Sequence, residues 1–271
     1  MENMRARRAI QVLLLSSAAF AQTPTISSGG ILNSASFDTT MPVTAGALIS
    51  IFGNNLAATT ATADSIPLST VLGNVSVTVN GIPAPLSGVF HEATYDQLNA
   101  QLPWNTPTGT AQVVVTNNGV ASPPQTVQVG QVSPGIFSVN SGTGQAIAIN
   151  NPDGSLAAPA GSIPGLSTRP AVVGDAGGLI ILATGLGPVT PTIANGANSL
   201  DALRNTTTTP VVLVGGMPVQ VLFSGLSPNF VGVNQINVFL PPGTPTGAQV
   251  PLQIQVGGLT STNQVTIAVS Q

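Results

Sequence analysis

The chain has 271 residues, of which 42% are hydrophobic and only 5% charged. Roughly a quarter of a typical soluble protein is charged, and disordered chains combine low hydrophobicity with high net charge, so this composition excludes a disordered polyelectrolyte. There is no lysine and no cysteine; beyond residue 21 two arginines stand against seven acids, a formal charge of −5 that argues against nucleic acid as a partner.

Three of the five arginines, Arg5, Arg7 and Arg8, precede an apolar run from Ile10 to Phe20 and the small-x-small triplet Ala19-Phe20-Ala21. A basic start, a short apolar segment and a small-residue site read as a secretory signal peptide over 1–21, cut after Ala21. The run is too short to span a bilayer, so no membrane insertion is expected once the signal is removed. The exported chain, extracellular, at the cell surface or in the periplasm, would be held together by core burial without disulfides.

Downstream, Ile31-Leu32-Asn33 reads as a first strand, followed by 45–57 with Leu48, Ile49, Ile51 and Phe52 and a stop at Gly53-Asn54-Asn55. Residues 58–70 read as a polar loop. Val75–Val79 alternates, Asn80-Gly81 is a hairpin turn, and 82–89 returns as one edge-type strand containing two prolines. HEATYD (91–96) reads as a loop into QLNAQLPWNTPTG (97–109), which recurs as QINVFLPPGTPTG (235–247). In both copies an apolar alternation (Leu98, Ala100, Leu102; Ile236, Val238, Leu240) stops at proline, the mark of a strand with one buried face. Asn99 and Asn237 should therefore point outward. Residues 110–116 and 126–129 complete about seven short strands, the spacing of an immunoglobulin-like sandwich.

The second half repeats the first: 45–50 matches 176–181, 79–85 matches 214–220, and 117–122 parallels 255–261. The expected organisation is all-β, a first sandwich over 22–131 and a second over 132–271, with 157–170 and 190–210 as long loops and 144–150 as the second unit's first strand. No stretch has sustained helical periodicity.

The motifs GALISIFGNNL, VSVTVNGIPAPL, QLNAQLPW, TPTGTAQVVVTNNGVAS and ATGLGPVTP together resemble secreted domains common at the C-termini of acidobacterial (Solibacter-type) extracellular proteins. Each half is also similar to IPT/TIG immunoglobulin-like domains, over about residues 28–270. The family has no assigned activity, so the resemblance implies no catalytic residues; it does imply a tandem of two such sandwiches. Here the pair would follow the signal peptide directly, with no large partner domain before it.

The chemistry-bearing residues point the same way. His91 is the sole histidine, and position 95, one helical turn on, is Tyr95, so neither the metalloprotease pattern nor a zinc site is expected. Glu92 and Asp96 share one short loop, unlike the carboxyl pair that flanks a glycosidic bond. Asp153 in NPDGS and the glycines of 178–188 read as turn chemistry. No catalytic residue, metal ligand or cofactor is expected. The candidate ligand contacts are the loop aromatics Trp104, Tyr95 and Phe230. The functional expectation is a non-enzymatic protein for adhesion, cell-surface architecture or protein–protein contact. The alternative is a carbohydrate-binding module using those rings, so the expected partner is a protein or a cell-surface polysaccharide.

Overall fold

A computed structural model describes residues 22–271, and the signal-peptide reading of 1–21 lies outside them. Alternating apolar residues divide the chain into two closed cores. One is built from Ile31 to Val129 around Ile49, Ile51, Leu98 and Val113, the other from Val132 to Val269 around Ile181, Ile236, Leu252 and Ile267. Both belong to β-sandwiches; among the described residues there is no helix. The fold is a tandem of two immunoglobulin-like sandwiches.

In the first sandwich one sheet runs in the order Thr25–Asn33, Leu48–Asn54, Asp96–Gln101, Leu86–His91, Ala61–Thr62. The facing sheet runs Val43–Thr44, Gln125–Gly130, Gly109–Asn117, Val75–Val79, Val71–Leu72. The expected single strand over 82–89 is two. Ile82–Ala84 pairs with Val75–Val79, whereas Leu86–His91 pairs with Asp96–Gln101, so the chain changes sheets at Pro85. Proline has no N–H to give a ladder, and the break falls there. In the second sandwich the corresponding strand, Met217–Leu226, stays continuous: it leaves Val211–Val214 for Asn234–Phe239 between Val219 and Gln220, and a bulge follows between Val221 and Phe223.

The duplication is visible in hydrogen bonds as well as in letters. Gln97 Nε2 donates to Asn99 Oδ1 at 2.8 Å, and Gln235 Nε2 donates to Asn237 Oδ1 at 2.9 Å. Val115 N donates to Ser122 Oγ at 3.1 Å, and Ile254 N to Ser261 Oγ at 3.0 Å. Asn80-Gly81 has φ of 49° and 78°, and its counterpart Gly215-Gly216 has 60° and 82°. Two successive positive φ values are what a tight hairpin turn requires, which is why Asn and Gly occupy it. The six apolar residues of the repeated motif are buried, and Asn99 and Asn237 are half-buried on the outer faces.

One alignment needs correcting. Ile51 pairs with Leu98 and Ile181 with Ile236, so Ile51 is equivalent to Ile181 and the expected match of 45–50 with 176–181 is one residue out. A one-residue slip turns a strand's side chains to the other face. Leu48 thus lies outside the first core, whereas Leu179 lies inside the second. Of the expected loop 91–96, the end residues His91 and Asp96 belong to strands and 92–95 form the turn. His91 and Asp96 face each other across a hairpin, with Glu92 N donating to Tyr95 O.

Leu240, 2% exposed, closes the second core. Leu240→Ala should lower unfolding free energy by about 2–5 kcal/mol through the cavity it leaves, measured by denaturant titration; a loss under ~1 kcal/mol would show the strand to be peripheral.

Candidate functional site: the junction groove

Buried polar side chains from one sandwich satisfy backbone groups of the other. Gln101 is 1% exposed in an otherwise apolar run; its Oε1 accepts from Gly196 N at 2.7 Å and its Nε2 donates to Gly46 O at 3.2 Å. Gly196 sits in the long loop expected at 190–210, which lies across the first sandwich: Leu68 N donates to Gly196 O, and Trp104 N donates to Asn195 Oδ1, both at 2.8 Å. Thr184, fully buried, accepts from Leu48 N at 3.1 Å and donates to Gly232 O at 2.7 Å. Asn33 Nδ2 donates to Ser133 O at 2.8 Å.

The loop that reaches over is itself braced by an ion pair. Arg204 is almost fully buried and forks onto the exposed Asp201, at 2.6 and 3.0 Å, while its Nε donates to Thr192 O. The guanidinium's hydrogen bonds hold the Asp201 carboxyl at about 2, below the ordinary 3.8. A similar brace joins Arg169 to Asp153, whose carboxyl also falls to about 2, first through the hydroxyl of Ser155 and then through Arg169. Both arginines of the described chain are therefore committed to loops of the second sandwich.

Two neighbouring cavities among those where the sandwiches meet share a floor. The larger, about 520 Å³, lies between 63–68 and 229–233, with Ile66 and Phe230 on its walls and Leu48 and Ser87 at its base. The smaller, about 280 Å³, shares Leu48 and Ser87 and continues over Ser34, Ser50, Gln97 and Asn99, walled by Phe37, Phe137 and Ser138. Together they form a groove on the outer face of the Leu48–Asn54, Leu86–His91 and Asp96–Gln101 sheet. Loops of the second sandwich supply one side of it. Asp64 is the one ionisable side chain lining it among the described residues.

The three aromatic candidates part company here. Phe230, 54% exposed, lines the groove. Tyr95, 46% exposed, lies 5.9 Å from Phe52, which lies 6.2 Å from Phe37, so it extends an aromatic row that ends in the groove wall. Trp104 sits in the junction beside Gly185, Leu186 and Leu226, its ring over Gly46, where a side-chain carbon would overlap it. Its indole Nε1 is buried without a partner among the described residues. The junction, not an open platform, is its place.

His91 and Asp96 also have a definite arrangement. His91 Nδ1 lies 2.7 Å from Asp96 Oδ1, and the other oxygen of Asp96 accepts from Leu56 N at 2.7 Å and Ala57 N at 3.4 Å. The buried carboxylate thus pins the 54–57 turn to the hairpin. Among the described residues no group of three or more His, Cys, Asp or Glu could hold a metal ion.

Residues 33–143 match the IPT/TIG domain. No characterised protein sequence matches the chain. Among solved structures it is similar to the Bacteroides ovatus mixed-linkage glucan utilization locus protein SGBP-B in complex with a heptasaccharide (13% identity, TM-score 0.31, covering 84% of this chain and 43% of that one). It is also similar to domains 5–6 of the S-layer protein SbsC (12%, 0.27, 91% and 98%) and to the Yersinia pseudotuberculosis adhesin InvE (16%, 0.20, 90% and 60%). The chain spans less than half the length of SGBP-B. At these identities and TM-scores no property of those proteins carries over.

Gln101→Leu would orphan Gly46 O and Gly196 N, at ~1–3 kcal/mol for each group left buried. Faster proteolysis in 190–204 and a red-shifted Trp104 emission are expected. Unchanged cleavage and emission would show that the amide does not hold the junction. A second expectation concerns acid. A carboxyl depressed on folding stabilises the fold fully above its unfolded pKa and ceases to do so as pH falls through the folded value. For Asp201 that window runs from 3.8 down to about 2. The melting temperature should fall across it, and by less in Arg204→Gln; an equal fall in both proteins would remove this pair from the account.

Proposed function

We propose that the chain is an exported, non-catalytic tandem that works by binding, in adhesion, cell-surface architecture or protein–protein contact. The observation that carries the reading is the junction. Gln101, Thr184 and Asn33 tie two sandwiches into one arrangement and leave an open groove between them. Fixing loops relative to each other before a partner arrives lowers the ordering cost of association. The ionisable side chains support a binding role, because Asp96, Asp153, Arg169, Asp201 and Arg204 are used to hold turns and loops. Export is supported by Arg5, Arg7 and Arg8 before the apolar run to Phe20. The motif resemblance to acidobacterial secreted domains belongs to the same proposal.

Two measurements test it. Expressed with its own N-terminus in its native host, the protein should appear outside the cytoplasm beginning at Gln22; an intact N-terminus in the cytoplasmic fraction would overturn export. Purified 22–271 should bind isolated cell envelopes of the producing organism saturably, and a flat titration would overturn the surface role.

A further inference from the structure

The outer face of the first sandwich carries hydrogen-bonding groups that the protein leaves uncommitted. Asn99 Oδ1 accepts from Gln97 Nε2 at 2.8 Å and from Ser50 Oγ at 3.0 Å, and Ser50 in turn meets Ser34 Oγ at 2.9 Å. These bonds fix how both amides are turned. Gln97 Oε1 and Asn99 Nδ2 have no protein partner among the described residues, so an acceptor and a two-proton donor stand side by side on the groove floor, near Ser87. An amide pair held in this way matches neighbouring hydroxyls, each of which donates once and accepts.

The second repeat keeps the pair without the setting. Gln235 bonds Asn237 in the same way, but Ile180 stands where the first repeat has Ser50. Phe223 lies opposite Asn237, whereas Gly88, covered by the ring of Phe90, lies opposite Asn99. A merely structural Gln-x-Asn bond does not need the serines.

Charge and shape narrow the ligand. With Asp64 the one ionisable lining residue among the described residues and both of their arginines in ion pairs, an anion would find no counter-charge in the groove. Strand addition by a peptide uses a free sheet edge. Here the edges are held by Thr25–Asn33 and Ala61–Thr62, and the groove crosses the sheet's face. Phe230 on one wall and Phe37 on the other, backed by Phe52 and Tyr95, present apolar ring surface beside the neutral amides. Rings beside a few placed polar groups, in a space of some hundreds of Å³, are the makings of a small-ligand site. Resting on the reading of the chain as a binding module, we infer that the groove takes a segment of uncharged polysaccharide. The amide floor binds its hydroxyls, and Phe230 and Phe37 pack on its sugar faces.

The test is calorimetric titration of 22–271 with soluble neutral polysaccharides (a β-glucan, an α-glucan, a mannan and a xylan). Polygalacturonate, heparin and a mixture of extended peptides serve as comparators. At least one neutral polysaccharide should bind saturably. Phe230→Ala and Asn99→Asp should each weaken it by about tenfold or more, whereas Asn237→Asp in the second repeat should leave it within about twofold. Phe230 is exposed, so its variant keeps the fold even where Asn99→Asp does not. Binding only to the charged polymers or the peptides, binding to none, or neutral binding unmoved by Phe230→Ala would overturn the inference. Envelope binding that persists in Phe230→Ala would then leave the surface role standing while removing the groove as its site.

Discussion

Buried polar contacts between the two halves of this molecule fix how they relate, and Gln101 is the clearest of them. Gln101 interrupts an apolar strand end, and it is tolerated there because both ends of its side chain are satisfied, one by Gly196 of the second sandwich and one by Gly46 of its own. A buried polar group with one partner missing is costly, so such a residue specifies the contact that completes it. Trp104 depends on the same arrangement, since its ring needs Gly46 bare and its backbone N–H needs Asn195. The groove follows in turn, because its second wall is the 229–233 segment, whose Gly232 is held by Thr184.

A chain almost without charge and without cysteine has few other means to hold long loops in place. It spends the two arginines of the described residues on them, each against an aspartate in the second sandwich. The Arg204–Asp201 fork is exposed on the acid's side and buried on the base's, and its value is positional. By bonding Thr192 O and Asp201 together, Arg204 gives 190–204 a shape that reaches the first sandwich. Exposed pairs of this kind add little to stability alone. Here the pair orders a segment whose Asn195 and Gly196 hydrogen-bond to the first sandwich.

Duplication supplied two copies of one strand-and-turn unit, and the outer faces have since diverged. Apolar inward positions must be kept to hold each core, whereas outward positions are free to change. The change from Ser50 to Ile180 at equivalent places is of that kind, and so is the change from Gly88 to Phe223. The first copy keeps the serines on a polar face beside the groove.

The amino-acid sequence by itself determined the all-β class, the duplication, the turn at Asn80-Gly81 and which residues of 97–102 and 235–240 face a core. These follow from local rules: a period of two, positive φ at a turn, and proline as a breaker. The sheet change at Pro85 and the one-residue offset between Leu48 and Leu179 escaped that reading, because either register has apolar residues to offer and only pairing with the neighbouring strand chooses. Of the aromatics picked out from their loops, Phe230 lines the groove, Tyr95 ends the row that backs it, and Trp104 went to the junction. Gln97, Asn99, Ser50 and Ser34 gave no local signal, since outward polar residues on a strand look the same whether water or a neighbouring domain lies beyond them. What lies beyond is set by where the second sandwich docks. That depends on contacts such as Gln101 with Gly196, 95 residues apart, which no local pattern encodes.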